Sequence, residues 1–416
     1  MKNHMKSGIL LCAILLIAAA GSVLPQSASL LPASLRFPEG VSRVTIPLEI
    51  FENVPYVPVR IPSLDRDLRF ILDTGAGNLI VLEEETARAA KLVLGQGISV
   101  GGAGEGELFG YRVEGGRITA AGLEFEGGPM LTLPLGRLDP FWGKRKDGLL
   151  GGPWISQAVA DIDYAAGSLT MSRREAFSWP KKAHTIPLRV EGRHPFVNVK
   201  VHVHGLNDPV ETIMMVDTGL RVTSFSGPFW KAHDLAGHSP SRLETVTGFG
   251  IGGISRGILG RVRGLEIGDI FIREPVTDFS KDEKGALAGP ELGGILGADI
   301  LYRFRVILDY GGGRLGLVEN KSIEDPYEWD MSGIWFRCEG PDFRTFVVHH
   351  VAPGTPAERA GLASGDRILT VDGTDARSFT LESLRRLLKR PGRRVALSID
   401  RGGRTFRKSL ALERIV

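Results

Sequence analysis

The stretch "FILDTGAGN", residues 70–78, and a second copy of its core, "MMVDTG", residues 214–219, decide the fold of this chain. Each copy places an aspartate, Asp73 or Asp217, after an apolar run and before a Thr-Gly pair that turns the chain. A carboxylate in this position either caps a turn or acts in catalysis, and general acid–base catalysis usually needs two groups in different protonation states. The two copies therefore supply Asp73 with a candidate partner.

Other landmarks repeat in the same order. "GLLG" at 148–151 matches "GILG" at 294–297, and "DIDY" ending at Tyr164 matches "VILDY" ending at Tyr310. The glycine-rich stretches "GGAGEGE" and "GFGIGG" fall between the DTG triplets and these later motifs. Matched landmarks in one order indicate an internal repeat. The chain is predicted to contain two copies of a unit of roughly 130 to 140 residues, joined by the linker "SWPKKAHTIP".

Both copies are predicted to be mainly β. Short β-branched and apolar runs, such as "GRITAAGLEF", "HPFVNVKVHVH" and "RFRVILDY", alternate with glycine turns. Short helices are expected at "LEEETARAAKL" and "PFWKAHDL" after the two DTG triplets, and near "PWISQAV" and "ADILYRF". The pattern predicts two pseudo-symmetric β-rich lobes.

The doubled motif, apolar residues followed by Asp-Thr-Gly, a glycine-rich hairpin and a later apolar-apolar-Gly, resembles aspartic peptidases of the retropepsin type. Retroviral enzymes are similar to one unit and act as homodimers, whereas this chain looks like a fused pair and is expected to act as a monomer. The resemblance covers roughly residues 41 to 320, as lobe 1 (41–178) and lobe 2 (184–320). It implies that Asp73 and Asp217 form a catalytic dyad.

The resemblance also implies roles for neighbouring residues. Thr74 and Thr218 are expected to hydrogen-bond across the two loops, while Gly75 and Gly219 permit the tight turns. The glycine-rich hairpins are expected to be flaps over an extended polypeptide substrate. Their candidate residues are Gly101, Gly102, Gly104, Gly250, Gly252 and Gly253. Two carboxylates that activate one water need no covalent intermediate, cofactor or metal.

The second copy departs from the family pattern after its glycine. The residue there is usually small or hydroxylated, as Ala76 is in the first copy, whereas the second copy has Leu220. Leu220 either crowds the dyad or packs behind the loop. Because neither position supplies a hydroxyl to stabilise the ionised pair, the activity optimum is expected to be less acidic than that of digestive pepsins.

Three tempting motifs are set aside. "GISRG", 253–257, fits the serine-hydrolase pattern but is followed by a predicted strand instead of a helix. "GFGIGG" fits a dinucleotide-binding pattern, yet no helix begins at it. His202 and His204 alternate along a predicted strand without an evident third zinc ligand, and are interpreted as a solvated face.

The last segment, 331–416, changes character. "TFVVHHVAPGTPAERAGLASGDRILTVDG" resembles the core of a bacterial PDZ domain, a small α+β fold, with the helix "TLESLRRLLKR" beside it. In that fold a peptide adds as a strand next to the helix, with its terminal carboxylate held by a glycine-containing loop. The candidate peptide-binding residues are Gly333, Ile334, Trp335 and Phe336. Trp335 stands where the family often has a second glycine, and a purely structural PDZ domain is the alternative.

The N-terminus and composition suggest the location. Lys2 and Lys6 precede "GILLCAILLIAAAG", which is typical of a signal peptide over residues 1–25, with an uncleaved anchor as the alternative and the only expected membrane contact. The formal net charge of +3 gives no reason to expect a nucleic-acid partner. Cys338 is the only cysteine beyond residue 25, so no internal disulfide can form there.

Together these features predict an exported aspartic endopeptidase of the bacterial periplasm or cell envelope. Its PDZ domain would bind or gate polypeptide substrates. The alternative from a different class is a non-catalytic protein of the same fold that binds extended peptides, in which Leu220 has disabled the dyad.

Overall fold

A computed structural model describes residues 33–416, which form two β-rich lobes followed by a small α+β domain. The predicted signal peptide lies outside these residues. Within the described part of the chain, no helix is both long and apolar enough to cross a membrane.

Lobe 1 holds the strands β1 to β14 and three short α-helices. The strands are β1 (Ser34–Arg36), β2 (Arg43–Pro47), β3 (Glu49–Phe51), β4 (Val54–Val59), β5 (Leu68–Leu72), β6 (Ile80–Glu83), β7 (Val93–Gly101), β8 (Glu107–Glu114), β9 (Arg117–Ala120), β10 (Leu123–Glu126), β11 (Met130–Leu133), β12 (Gly148–Leu150), β13 (Val159–Asp163) and β14 (Ser168–Ser172). The helices are α1 (Glu84–Ala89), α2 (Asp139–Trp142) and α3 (Gly152–Ile155), with 3₁₀ turns at Leu135–Arg137 and Arg174–Ala176.

Lobe 2 holds the strands β15 to β27 and two short helices. The strands are β15 (His184–Pro187), β16 (Arg189–Glu191), β17 (His194–His202), β18 (Val210–Val216), β19 (Ser224–Phe225), β20 (Leu243–Gly250), β21 (Gly253–Arg261), β22 (Gly264–Ile267), β23 (Ile270–Arg273), β24 (Val276–Ser280), β25 (Gly294–Leu296), β26 (Phe304–Asp309) and β27 (Arg314–Glu319). The helices are α4 (Gly227–Ala232) and α5 (Ala298–Leu301).

The main sheets of the two lobes have the same strand order. In lobe 1 it is β4-β5-β12-β6-β11-β8-β7, and in lobe 2 it is β17-β18-β25-β19-β24-β21-β20. In both, the strand before the DTG triplet pairs in parallel with the strand of the later apolar-apolar-Gly motif, which in turn pairs antiparallel with the strand after the triplet. The two main sheets therefore share one strand order around their DTG triplets.

A six-stranded sheet joins the lobes, in the order β15-β27-β26-β13-β14-β2. Its centre is the antiparallel pair of β13 from lobe 1 and β26 from lobe 2. Across this pair, the guanidinium of Arg305 donates to both carboxylate oxygens of buried Asp161, at 2.7 and 2.5 Å. The segment expected to be a linker contributes β15 to this sheet. This segment therefore does not separate the lobes, which share one continuous sheet.

The C-terminal domain is built from strands β28 to β33 and two helices. The strands are β28 (Ile334–Glu339), β29 (Thr345–Val351), β30 (Arg367–Val371), β31 (Thr374–Asp375), β32 (Arg394–Arg401) and β33 (Arg404–Ala411), and the helices are α6 (Pro356–Arg359) and α7 (Leu381–Leu388), with a 3₁₀ turn at Ala376–Ser378. Thr380 and Ser383 form a capping box that starts α7. The buried Leu384 and Leu388 lie on the apolar face of this helix.

Two sequence-based boundaries need correction. The helix after the first DTG triplet is only six residues long, because Lys91 turns the chain with φ of +55° soon after it ends. Lobe 1 also begins before residue 41, since β1 pairs with β10. Neither change moves a candidate site residue.

Candidate active site

Both DTG triplets leave the sheet in the same way. The backbone N–H of Asp73 donates to the carbonyl of Leu150, and that of Asp217 donates to the carbonyl of Leu296, each at 2.9 Å. Each acceptor is the last residue of the strand that carries the apolar-apolar-Gly motif. The repeated motifs therefore meet in space, and each aspartate is fixed at the end of a buried strand.

The two threonines tie the loops together. The Thr74 hydroxyl donates to the carbonyl of Val216 (2.6 Å), and the Thr218 hydroxyl donates to the carbonyl of Leu72 (2.5 Å). Each hydroxyl also accepts from the backbone N–H of the other threonine, at 3.2 and 3.0 Å. Both side chains are fully buried. These four reciprocal bonds hold the two aspartates in a fixed relation.

The glycines bring the carboxyl groups together. A Cβ atom on Gly75 would lie 2.3 Å from Oδ2 of Asp217, and one on Gly219 would lie 2.6 Å from Cγ of Asp73. Neither position can accept a side chain without moving a carboxyl group. Each carboxyl group therefore lies against the opposite loop, close to its partner.

The two carboxyl groups differ in their hydrogen bonds. Burial raises the pKa of Asp73 well above its usual range, and the charge of Asp217 and a hydrogen bond to it raise this pKa further. Burial also raises the pKa of Asp217, but the backbone N–H groups of Gly219 and Leu220 oppose that effect by donating to Oδ1, at 2.7 and 3.1 Å. Oδ1 of Asp73 accepts from one such group, the backbone N–H of Ala76 at 3.1 Å, so the hydrogen bonds favour the shared proton on Asp73.

The side chain of Leu220 packs against lobe 2. Its side chain joins an apolar cluster of lobe 2 that contains Phe196, Met215 and Ile295. Its carbonyl accepts from Ala298 at 2.7 Å, just as the carbonyl of Ala76 accepts from Gly152 at 3.0 Å in lobe 1. The side chain of Leu220 therefore has apolar packing partners within its own lobe.

The expected flaps are two hairpins, β7–β8 and β20–β21, whose tips meet. Gly252 donates its N–H to the carbonyl of Ala103 (2.7 Å), and its own carbonyl accepts from Gly106 (2.8 Å). A Cβ atom on Gly104 or Gly252 would lie within 2.6 Å of the other tip, so both positions require glycine. Gly253 needs glycine for another reason, its φ of +94° in open space.

The other flap candidates differ in their surroundings. A Cβ atom on Gly250 would lie 2.7 Å from Ala103, and one on Gly102 would lie 3.1 Å from Ile251. Gly101 ends β7 and has no atom closer than 3.9 Å to such a Cβ, so contact with the other flap does not require glycine there.

Two residues near the dyad were missed by the sequence analysis. His194 of lobe 2 packs on the first DTG loop, where a Cβ on Gly77 would lie 2.5 Å from the imidazole, and burial lowers the pKa of His194. On the opposite side, Arg221 pairs with Glu52 of lobe 1 at 2.5 Å. Both contacts come from corresponding tight turns, which carry two successive residues with positive φ, Glu52 and Asn53 in one and Gly192 and Arg193 in the other.

The remaining sequence motifs also have definite places. The "GISRG" stretch begins β21, a flap strand, and "GFGIGG" spans the tip of the same hairpin. His202 is paired with Glu266 at 3.0 Å and half-buried, so its interpretation as a solvated residue is wrong. The described residues contain no group of three His, Cys, Asp or Glu side chains arranged for a metal ion.

The candidate peptide-binding residues of the C-terminal domain lie at the start of β28. Gly333 forms the turn, with φ of +79°, while Ile334, Trp335 and Phe336 are strand residues and are buried. Most of this candidate loop is therefore strand. The β28 strand is at the edge of its sheet.

Comparisons with known proteins agree with this arrangement. Residues 57–154 match the family model described as aspartyl protease, and residues 333–400 match the PDZ domain model. The chain thus combines an aspartyl protease-like region with a PDZ domain that follows it. The resemblance to aspartic peptidases with a C-terminal PDZ domain is confirmed, and so is the predicted mainly β fold.

Individual relatives cover the chain unequally. The aspartic proteinase from Irpex lacteus matches 69% of this chain and 100% of its own, with 15% identical residues and a TM-score of 0.46. Over 60 residues the chain is 42% identical to the protein named "Putative serine protease HhoA" from Synechocystis sp.. That match spans 14% of this chain and 15% of the relative.

Proposed function

We propose that the chain is an exported aspartic endopeptidase in which Asp73 and Asp217 jointly activate a water molecule. The observation that carries the proposal is the reciprocal bonding of Thr74 and Thr218, with each DTG glycine packed on the opposite carboxyl group. This arrangement holds two carboxyl groups at one place from two different lobes. Such a pair supplies the acid and the base that peptide hydrolysis requires.

In this proposal the roles follow from the hydrogen bonds of the two carboxyl groups. Asp217 accepts two backbone N–H donors and acts as the base that takes a proton from the water. Asp73 keeps the shared proton and donates it to the carbonyl oxygen of the scissile bond as that oxygen becomes negative. As the C–N bond breaks, Asp217 gives the proton that it took from water to the leaving amine, and a hydroxyl of the tetrahedral intermediate returns a proton to Asp73.

Substrate access is governed by the flaps. Their tips are joined by backbone hydrogen bonds, so a polypeptide reaches the dyad only after the hairpins separate. An extended substrate strand would then exchange those bonds for its own. In this proposal the PDZ domain contributes by binding polypeptide or by gating its entry. The fused lobes are expected to act as a monomer.

The alternative protein of the same fold binds peptides without cleaving them. Its premise was a dyad crowded by Leu220, and the packing of Leu220 with Phe196 and Met215 favours the peptidase instead. The serine-type mechanism suggested by the name of one relative finds no support at "GISRG", which lies in a flap strand.

The test is cleavage of casein by residues 26–416 between pH 3 and pH 8. Asp73→Asn and Asp217→Asn are each expected to lower kcat/KM by about a thousandfold, a typical effect of losing an acid–base group. Asp161→Asn is a matched control, since Asp161 is a buried carboxylate of the interlobe sheet. Cleavage that survives either dyad substitution contradicts the proposal, whereas an optimum well below pH 4 contradicts only the expectation of a less acidic optimum than that of digestive pepsins.

A further inference from the structure

The peptide-binding edge of the PDZ domain is covered by the protease itself. A peptide would add alongside the edge strand β28, next to α7. In the structure α2 of lobe 1 packs against β28. The residue that follows α2, Gly143, reaches the first residue of α7, since a Cβ on it would lie 2.7 Å from Cβ of Leu381. Residues 139–143 therefore occupy the groove between β28 and α7.

A carboxylate of the protease also neutralises the cation of this groove. Oε2 of Glu52 accepts from Arg385 of α7 at 2.5 Å, and the guanidinium of Arg385 lies 5.7 Å from the ring centroid of Trp335 in β28. Only about a tenth of either charged side chain is exposed. Removing Glu52 from Arg385 would leave a poorly solvated cation unless another carboxylate replaced it.

A peptide can replace the protease residues that cover the groove, because those residues belong to a helix, α2. Among residues 33–416, no backbone hydrogen bond joins α2 to β28. A helix satisfies its backbone groups internally, whereas an added strand pairs with the N–H and C=O groups of a sheet edge. An extended peptide would therefore gain hydrogen bonds along β28 that α2 does not make.

The same helix holds the second flap. The ring of Phe141 stacks on Phe249 of β20, with centroids 3.7 Å apart, and its other contact is His349 of the PDZ domain at 5.0 Å. The indole N–H of Trp142 donates to the carbonyl of Phe249 at 3.0 Å. Any movement of α2 out of the PDZ groove thus disturbs the anchor of the flap.

We propose that α2 and Glu52 are a built-in occupant of the PDZ groove, and that an extended peptide bearing a carboxylate displaces them and thereby releases the second flap. The role of flap release in cleavage rests on the proposed function, whereas the displacement itself does not. The PDZ domain is in this view an autoinhibitory element that a carboxylate-bearing peptide relieves.

The test uses residues 26–416 carrying Asp73→Asn, so that no cleavage is needed. The probe is a fluorescein-labelled ten-residue peptide of alternating valine and threonine with one central glutamate. Two further forms, one with glutamine in place of glutamate and one with an amidated C-terminus, distinguish a side-chain carboxylate from a terminal one. Affinity is measured by fluorescence anisotropy.

Weakening the contacts of α2 should strengthen peptide binding, because a smaller fraction of the protein then has α2 in the PDZ groove. Phe141→Ala is expected to lower the Kd by roughly threefold to tenfold, the range that corresponds to loss of one aromatic contact. His349→Ala, which removes the PDZ side of the same contact, should act in the same direction. Phe177→Ala is the control, since Phe177 is also half-buried but pairs with Trp179 in the segment between the lobes.

Hydrogen exchange supplies the second readout. Peptide binding should protect the amides of β28 and accelerate exchange at the flap-tip amides of Gly106 and Gly252, which bond across the tips. Equal peptide affinity in all variants, no binding by any of them, or unchanged flap exchange would each overturn the proposal. If the chain with intact Asp73 cleaves nothing while these shifts appear, the proposed function fails and this inference stands.

Discussion

The two DTG loops have the same backbone bonding but different surroundings. The first is followed by Ala76 and lies against His194. The second is followed by Leu220, which packs into lobe 2, and by Arg221, which pairs with Glu52 and through it with Arg385 of the PDZ domain. The repeat thus preserves the bonds that hold the carboxyl groups, whereas the side chains beyond each glycine differ. Through this chain of ion pairs the second loop is connected to the C-terminal domain.

The threonine bonds offer the sharpest test of the shared part. Thr74→Val and Thr218→Val each remove one buried hydroxyl and leave a carbonyl and an N–H without a partner. Each is expected to lower the free energy of unfolding by roughly 2–4 kcal/mol. Urea denaturation measures both. Because the bonds are reciprocal, the two hydroxyls should contribute equally to stability, and a difference above about 1 kcal/mol between the variants would contradict this.

The two tight turns that face the DTG loops, one containing Glu52 and the other Arg193, should respond unequally to substitution of these charged residues. Burial raises the pKa of Glu52, but the charges of Arg221 and Arg385 outweigh it and lower this pKa to about 2. A lowered carboxyl pKa stabilises the fold above the ordinary value of 4.5 and loses that contribution as the pH falls through about 2.

Glu52→Gln is therefore expected to destabilise the protein by roughly 2–3 kcal/mol at pH 7 and much less near pH 2. Arg193→Gln, in the corresponding turn of lobe 2, is the control, because Arg193 is exposed. Thermal melting at pH 7 and near pH 2 measures the destabilisation caused by Glu52→Gln. Equal effects of Glu52→Gln at both would rule out the ion pair as the source of stability.

The raised pKa values of Asp73 and Asp217 predict a pH dependence of stability opposite in sign to that of Glu52. A carboxyl group with a raised pKa contributes stability at low pH and loses it as the pH rises through the folded-state value. Asp73→Asn should therefore raise the Tm relative to the wild type at pH 8 but not at pH 3.5. Asp217→Asn should show a smaller gain, since backbone N–H groups stabilise its charge. The reverse order would place the shared proton on Asp217.

The smallest effect is expected at Leu220. Leu220→Ala removes a half-buried side chain and should cost about 1 kcal/mol of stability, while kcat/KM for casein remains within about twofold. Cleavage assays with the purified variant measure this. A large gain in activity would show that Leu220 restrains the dyad.

Much of this arrangement could be predicted from the sequence because it depends on local motifs. The DTG triplets, the later glycine motifs and the glycine-rich hairpins each have a repeated partner, and their common spacing predicts one architecture twice. The resemblance also led to the expected crossing of Thr74 and Thr218, which the structure places within hydrogen-bonding distance.

The contacts between domains could not be predicted in this way. Glu52 lies more than 300 positions from Arg385, and neither belongs to a motif, so nothing local indicates their pairing. The short α1 was overpredicted because its helical pattern continues past the point where Lys91 takes a positive φ. A tertiary contact thus decided the first outcome, and a local backbone turn decided the second.

The interlobe sheet has a consequence for how the chain folds. Its central strands, β13 and β26, pair residues that are 142 to 148 positions apart (305 − 163 and 308 − 160). Long loops must close before such a pair forms, so this sheet is expected to be a late step in folding. Until then each half exposes an unpaired strand edge, which is a template for pairing with another chain. Separated from its partner, either lobe should therefore self-associate rather than remain a monomer.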